Sequence, residues 1–210
     1  IIKYDGTLWT CGYNNIGQLG NGTVSTKYSS PIQVGALTNW KQVSCGYTSV
    51  AAIKTDGTLW MWGNNNFGQL GNGTRVDYSS PIQIGNSTNW KQVSCGDGHS
   101  SGIKTDGTLW AWGYNHYGEL GYPDSGSSYS SPIQIGSLTD WKQVDCGNSF
   151  KLMIKTDGTL WACGYNNMGN LGNGTRVYYS SPIQIGNSTN WKQVVAGGLN
   201  TRAITYKELG

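Results

Sequence analysis

The string Asp-Gly-Thr-Leu-Trp begins at Asp5, Asp56, Asp106 and Asp157, at steps of 51, 50 and 51 residues. Ser-Ser-Pro-Ile-Gln follows each time, with its proline at Pro31, Pro81, Pro132 and Pro182. Trp40, Trp90, Trp141 and Trp191 then open the string Trp-Lys-Gln-Val. Four copies of one unit in one order account for nearly all of the 210 residues. Self-similarity at such a period is the signature of solenoids and propellers, in which each unit buries its faces only against its neighbours. We treat 1–210 as a single domain of four units.

The second copy shows what one unit builds. Residues 90–96 and 100–105 read as strands, with apolar and polar positions partly alternating. Asp106-Gly107 supplies a tight turn into a third strand over 108–113, Asp-Gly between two such runs being a strong hairpin signal. Residues 81–84 give a shorter fourth strand, whose proline suits an edge or a first position because it lacks an N–H. Residues 63–78 form a Gly/Asn-rich loop without helical period. Four short strands per unit predict an all-β fold, a β-propeller of four-stranded blades. The templated tryptophans, Trp9, Trp60, Trp110 and Trp161 at one position and Trp40 and its equivalents at another, are expected to pack blade against blade.

This architecture explains a lopsided composition of 32 Gly, 10 Trp and 13 Tyr with only 12% charged residues and a net charge of +3. Each unit is expected to use about eight glycines at tight backbone positions. Disorder is excluded, since it needs high net charge and few aromatics. Collagen is excluded because glycine does not recur every third residue. No apolar run reaches the roughly 18 residues of a membrane span, so no membrane insertion is expected. The first residues lack the charged and apolar regions of a signal peptide.

One copy carries Asp56-Gly57, Leu59-Trp60, Trp62-Gly63, Asn65, Gly68-Gln69-Leu70-Gly71 and Gly73, then Pro81, Val93, Cys95-Gly96 and His99-Ser100 in register. This pattern resembles the repeats of the regulator of chromosome condensation family over the whole chain. Kelch repeats have a similar period but a double glycine in each unit, which occurs here once, at Gly197-Gly198. The resemblance implies a propeller of the seven-bladed type and a role as an interaction platform. Four copies leave two arrangements open. The first segment, 7–12, closes a four-bladed ring by pairing with the last blade, or the chain is the C-terminal piece of a longer ring. The absent initiator Met and the family habit favour the longer ring.

Candidate chemistry is thin. Cys45, Cys95 and Cys146 share a position that holds Ala196 in the last copy, while Cys11 and Cys163 share one with Trp62 and Trp112. Exchange with Ala or Trp marks packing, and no Cys-x-x-Cys spacing suggests zinc. We expect buried thiols and neither metal nor cofactor. The glycine-rich stretch at 17–22 lacks the Gly-Lys-Ser/Thr ending of a phosphate loop. Asp97, His99 and Ser100 are the residue types of a hydrolytic triad, but neighbours on a strand point to opposite faces, so no enzyme is expected. Two rings of lysine, Lys41, Lys91, Lys142 and Lys192, and Lys54, Lys104 and Lys155, are dispersed rather than clustered, and we expect the Asp106-type turn residues to answer them. Nucleic acid is therefore disfavoured, and the family's nucleotide-exchange activity toward a small GTPase is not carried over.

Function is sought where the copies differ, because variation on a shared scaffold falls in loops on one face. One variable segment holds Val24-Ser25-Thr26-Lys27, Arg75, Asp77, Tyr122, Asp124, Arg176 and Tyr178; the other holds Tyr47, Asp97, His99 and Phe150. Such residues are suited to contact. The leading expectation is a non-enzymatic module binding a protein partner through these loops. The alternative is glycan binding or surface display, extracellular or on a virion, to which five Asn sequons are compatible but which turn chemistry equally explains. Sugar sites would repeat their aromatics from copy to copy; a protein interface would be one asymmetric patch.

Overall fold

The computed structural model describes residues 1–205, with every side chain among them except that of Thr26. Residues 206–210 of the expected domain, and the Thr26 side chain of the first variable segment, lie outside the described residues. Strands β1 (Trp9–Asn14) and β2 (Ser25–Gln33) make a two-stranded sheet. Three four-stranded antiparallel sheets follow, each in simple sequence order. They are β3 (Trp40–Cys45), β4 (Ser49–Lys54), β5 (Leu59–Gly63) and β6 (Tyr78–Gln83); β7 (Trp90–Cys95), β8 (His99–Lys104), β9 (Leu109–Tyr114) and β10 (Ser128–Gln134); and β11 (Trp141–Cys146), β12 (Phe150–Lys155), β13 (Leu160–Gly164) and β14 (Tyr179–Gln184). A last pair joins β15 (Trp191–Ala196) and β16 (Thr201–Thr205). No helix occurs among the described residues.

The sheets are blades, three complete and two half-built. The first segment does not close a four-bladed ring: β1 pairs with β2, and β16 pairs only with β15 among the described residues. The arc is open and fits part of a longer ring. Each outer strand starts earlier than its proline suggests, β6 at Tyr78 rather than Pro81, and the proline still lies at the sheet edge, where its missing N–H costs no ladder bond.

Blades are tied across the axis by their inner strands at the repeat interval. The Gln42 side chain donates to the Val93 carbonyl at 3.0 Å and accepts from the Val93 N–H at 3.1 Å. Gln92 does the same to Val144, and Gln143 to Val194. Ser44 and Ser94 accept from the Cys95 and Cys146 amides, and Asp145 accepts from Ala196. A register shift separates Trp40 from Gln42, and recurs at Trp90, Trp141 and Trp191. The bulged residue is the ring lysine at 41, 91, 142 or 192, so the bulge turns the glutamine toward its neighbour blade.

Apolar clusters lie between consecutive blades. Trp90 and Trp112, with Met61, Leu70 and Val93, fill one interface, and Trp40 and Trp62 fill the one before it. Trp62 and Trp112, at the slot shared with cysteine, are fully buried and donate their indole N–H to the Gln18 and Gln69 carbonyls of the preceding blade. The Trp60-type residues are half-buried and stand edge-on to the Trp40 type. Their other contact adds to the Coulombic attraction between each lysine and its turn aspartate. Lys54 Nζ sits 3.5 Å from the Trp60 ring, with Lys104 over Trp110 and Lys155 over Trp161, while Asp56, Asp106 and Asp157 accept from the threonine two residues on. A side-chain carboxylate that caps its own turn gains more fixed geometry there than from a mobile ammonium. Lys155 and Asp140 form a salt bridge at 3.4 Å.

Glycine is a backbone requirement: 24 of the 32 adopt positive φ, and no other residue type does so among the described residues. A complete unit uses six such positions, for example 57, 63, 68, 71, 73 and 85, and Gly96 and Gly102 are tight for another reason, since a Cβ there would press into His99 and Trp90. At Gly57 (φ 79°) a Cβ would also press into the Thr88 carbonyl. Three cysteines are buried as expected, but Cys11 and Cys45 are exposed, because β1 lies at the open flank of the arc.

Candidate functional site

In each antiparallel blade the inner turn, such as 96–98 between β7 and β8, lies at the same end as the long loop leaving the third strand. The Tyr114 amide donates to the Gly98 carbonyl at 2.8 Å, joining the two. The Asp-Gly-Thr turns and segments such as 85–89 occupy the opposite end. Both variable segments therefore lie on one face.

The long loops are held by a buried asparagine whose motif position the sequence displayed but whose role it did not. Asn65 accepts from the Leu70 amide and donates to the Thr74 and Val76 carbonyls and to Asn72. Asn14, Asn115 and Asn166 accept from Leu19, Leu120 and Leu171 in the same way. The sequon asparagines Asn21, Asn72 and Asn173 accept from the threonine hydroxyl two residues on, which is the turn chemistry their pattern suggested.

The candidate contact residues divide. Tyr47 is 80% exposed. It lines both a cleft of about 320 Å³ with Trp9, Cys11, Tyr13 and Val50, and the axial opening beside Gly96 and Gly147. Arg75, Arg176 and Asp97 are exposed. Asp77 is exposed but shapes its loop, accepting from the Asn65 amide at 2.7 Å. Asp124 accepts from Ser127 and Tyr129, and the Tyr122 ring stands edge-on to Tyr129. His99 and Phe150 are not surface contacts: they are 1% and 0% exposed, because their rings fold onto Gly96 and Gly147, where any Cβ would collide with them. Burial and the nearby Lys151 push His99 down to about 3. They support the face from beneath.

Beyond these residues the structure assembles an aromatic strip across all three complete blades. Phe67 packs on Tyr114 at 4.7 Å, and Tyr114 stacks on His116 at 5.9 Å. His116 meets Tyr117 at 4.9 Å, and Tyr117, Tyr165 and Tyr178 form a triangle with sides of 5.1, 5.4 and 5.0 Å. Of the strip, only Tyr178 was a sequence candidate. The available signal was the position after the buried asparagine, plus one, which is apolar or aromatic in every copy as Ile16, Phe67, Tyr117 and Met168, yet falls in a loop. Gly98 lets the strip pass, since a Cβ there would lie 3.0 Å from the Phe67 ring.

Beneath the strip lies Glu119, fully buried. The equivalent Gln69 accepts from the Phe67 amide and donates to Asn64 Oδ1 at 2.7 Å. In the next blade Asn64 is replaced by Tyr114 and Gln69 by Glu119. One Glu119 oxygen accepts from the Tyr117 amide at 2.8 Å, and the other, Oε1, has no partner. Burial pushes its carboxyl up to about 7.

The residues of the hydrolytic pattern do not form a relay. Ser100 donates to the Gln69 carbonyl, and His99 Nε2 is without a partner. Among the described residues no three His, Cys, Asp or Glu side chains gather as a metal site, and no helix is long and apolar enough to cross a membrane.

Comparison with known proteins agrees with this geometry. A 78-residue segment is 38% identical to the ultraviolet-B receptor UVR8 of Arabidopsis thaliana, covering 36% of this chain and 18% of that protein. A 79-residue segment is 35% identical to the RCC2 homolog of Danio rerio, covering 37% and 16%. Among solved structures, human WBSCR16 superposes with a TM-score of 0.87 at 23% identity, over 98% of this chain and 55% of that one. Prp20p of Saccharomyces cerevisiae, characterised for binding to Gsp1p and histones, superposes with a TM-score of 0.82 at 20% identity, over 96% and 52%. The chain thus spans about half the length of these solved propellers and matches under a fifth of the curated relatives. Profiles of the regulator of chromosome condensation (RCC1) repeat match residues 5–53, 56–103, 106–154 and 157–204, and a second profile matches 40–69, 90–119 and 141–170. With its four units matched in register from residue 5 to residue 204, the chain belongs to the RCC1 repeat family.

Proposed function

We propose that this chain is a non-enzymatic binding module that engages a protein partner through the face carrying its variable loops. The observation that carries this is the asymmetry of the aromatic strip. Repeated sugar sites would place matching aromatics in every unit, but the position of Tyr13, Tyr114 and Tyr165 holds Asn64 in the remaining unit, and that of Tyr117 holds Ile16, Phe67 and Met168 in the others. One unequal patch crossing three blades is the pattern of a protein interface, whose energy concentrates in a few clustered aromatic anchors. The yeast protein similar in fold binds Gsp1p and histones and is also known bound to Kap60, all protein partners. The test places a photo-crosslinking amino acid at Tyr117 or, as the control on the opposite face, at Asn86. In extract of the source cells, one protein species recovered from position 117 and not from position 86 supports the proposal. Equal recovery from both positions, or recovery only from 86, refutes it.

A further inference from the structure

We propose that the aromatic strip recognises a cationic side chain, an arginine or lysine, presented by a basic segment of the partner. This rests on the reading of the variable face as a protein-binding surface and adds the chemistry of what it binds.

The strip offers what a cation needs. Its rings run without a gap from Phe67 to Tyr178, and its ends stay open, with Phe67 42% and Tyr178 38% exposed. Tyr117 meets Tyr165 and Tyr178 at 67° and 79°, edge to face rather than stacked, while Tyr165 and Tyr178 are tilted by 33° to each other. Ring faces attract ammonium and guanidinium groups through the quadrupole of the π-system. The chain uses the same chemistry on its opposite face, where it supplies the cation itself: Lys54, Lys104 and Lys155 sit 3.5–4.5 Å from the Trp60, Trp110 and Trp161 centroids.

Two carboxylates neighbour the strip at its Phe67–Tyr117 end, while the exposed Arg176 lies two residues from Tyr178 at the other. Asp97 is exposed on the turn next to Gly98, against which Phe67 and Tyr114 close. Glu119 lies directly under Tyr117, holds its backbone N–H and keeps Oε1 buried without a partner. An orphaned buried carboxylate oxygen is costly in the free protein. That cost falls when a cation is brought to the rings above it, which gives a basic partner an advantage that a neutral apolar one does not have. The first complete blade lacks this feature because its Gln69 is satisfied by Asn64. The carboxylate is therefore specific to the blade at the centre of the strip.

The probe is a flexible Gly/Ser peptide with evenly spaced arginines, compared with versions carrying lysine, the neutral isostere citrulline, or glutamate. Binding is followed through the tyrosine ring resonances of the whole chain. The expected result is saturable binding of the arginine and lysine peptides, with shifts confined to the strip, and about tenfold weaker binding of the citrulline peptide. Glu119→Gln should weaken arginine binding by a similar factor without changing the shape of the strip, and Tyr165→Ala should do so by removing a ring face. Preference for the citrulline or glutamate peptide, or arginine binding unchanged in both variants, overturns the proposal. If crosslinking from position 117 still captures a partner in that case, the protein-binding reading stands and only its cationic chemistry falls. If the peptides behave as expected but position 117 captures nothing that position 86 does not, the surface is a cation site without the proposed protein partner.

Discussion

Replacing Glu119 by glutamine should make the protein more stable at neutral pH, by an amount that depends on pH. Burial raises the Glu119 carboxyl from an ordinary 4.5 to about 7. A carboxyl whose folded pKa is raised favours folding least where the unfolded chain is ionised and the folded one is protonated or holds a costly charge. The penalty is absent below about pH 4.5, grows as pH rises, and is complete above about pH 7. A shift of about 2.5 units corresponds to about 3 kcal/mol at 1.36 kcal/mol per unit. The amide of Glu119→Gln carries no charge at any of these pH values. It keeps an oxygen for the Tyr117 N–H but meets Tyr114 where Gln69 meets Asn64, so its Nε2 lacks the acceptor that Gln69 has. That deficit, about 1 kcal/mol, is the same at every pH. The sensitive quantity is thus the slope of the difference between variant and wild type. His99, depressed to about 3, destabilises both chains equally as pH falls below its ordinary 6.5, and cancels in the difference. Urea unfolding at constant m, at steps from about pH 4 to about pH 8, should show the variant gaining about 3 kcal/mol across that range. A difference that does not change with pH would refute the burial of an uncompensated carboxylate.

Four further substitutions test the scaffold by the same urea titrations. Gly57→Ala forces a Cβ into the Thr88 carbonyl at φ 79° and should cost about 2 kcal/mol or more, whereas Gly35→Ala, also at positive φ but with open space around it, should cost about 1 kcal/mol; equal losses would remove the steric part of the reasoning. Asn65→Ala leaves the Leu70 amide and the Thr74 and Val76 carbonyls without their partner and should cost about 2–3 kcal/mol, with amide exchange accelerating across 65–77 before the strands; uniform acceleration would contradict a local keystone. Ser94→Ala removes the hydroxyl that donates to Asp145 and accepts from the Cys146 amide across one blade interface and should cost about 1–2 kcal/mol; no loss would mean that these inter-blade bonds are replaced by water.

The blades were legible because their requirements repeat. Asp106-Gly107 must turn and Trp90 must fill the interface in every copy, so those residues recur and announce themselves. The seat of the lysines on the tryptophan rings was not legible. Lys54 and Asp56 sit two residues apart and attract each other, but the turn commits Asp56 to Thr58 and leaves the lysine for the Trp60 ring. The exposure of His99 and Phe150 was misjudged for a related reason. Their position varies between copies, which suggests a surface, yet the His99 and Phe150 rings close over the inner glycines Gly96 and Gly147, as the Asn200 side chain does over Gly197.

The aromatic strip escaped for a deeper reason. Phe67, Tyr114, Tyr117 and Tyr165 come from three units and lie about one period apart, so no window of sequence contains them together. The strip combines a shared residue with departures: tyrosine stands at 13, 114 and 165 but Asn64 in the other unit, Glu119 replaces Gln69, and Phe67 and Tyr117 stand where the other units have Ile16 and Met168. A template conserves what every blade needs, and a partner touches only the blades it reaches. Selection for binding must therefore act at positions where the backbone tolerates any side chain, and its mark is departure from the repeat at neighbouring units. Glu119 sharpens the point, because a carboxylate without a partner in the core weakens the scaffold and gives the blade nothing that Gln69 does not already give. A residue that costs its own fold stability, placed under the Tyr117 backbone, is where the proposed cation contact would return a benefit that the blade itself does not receive.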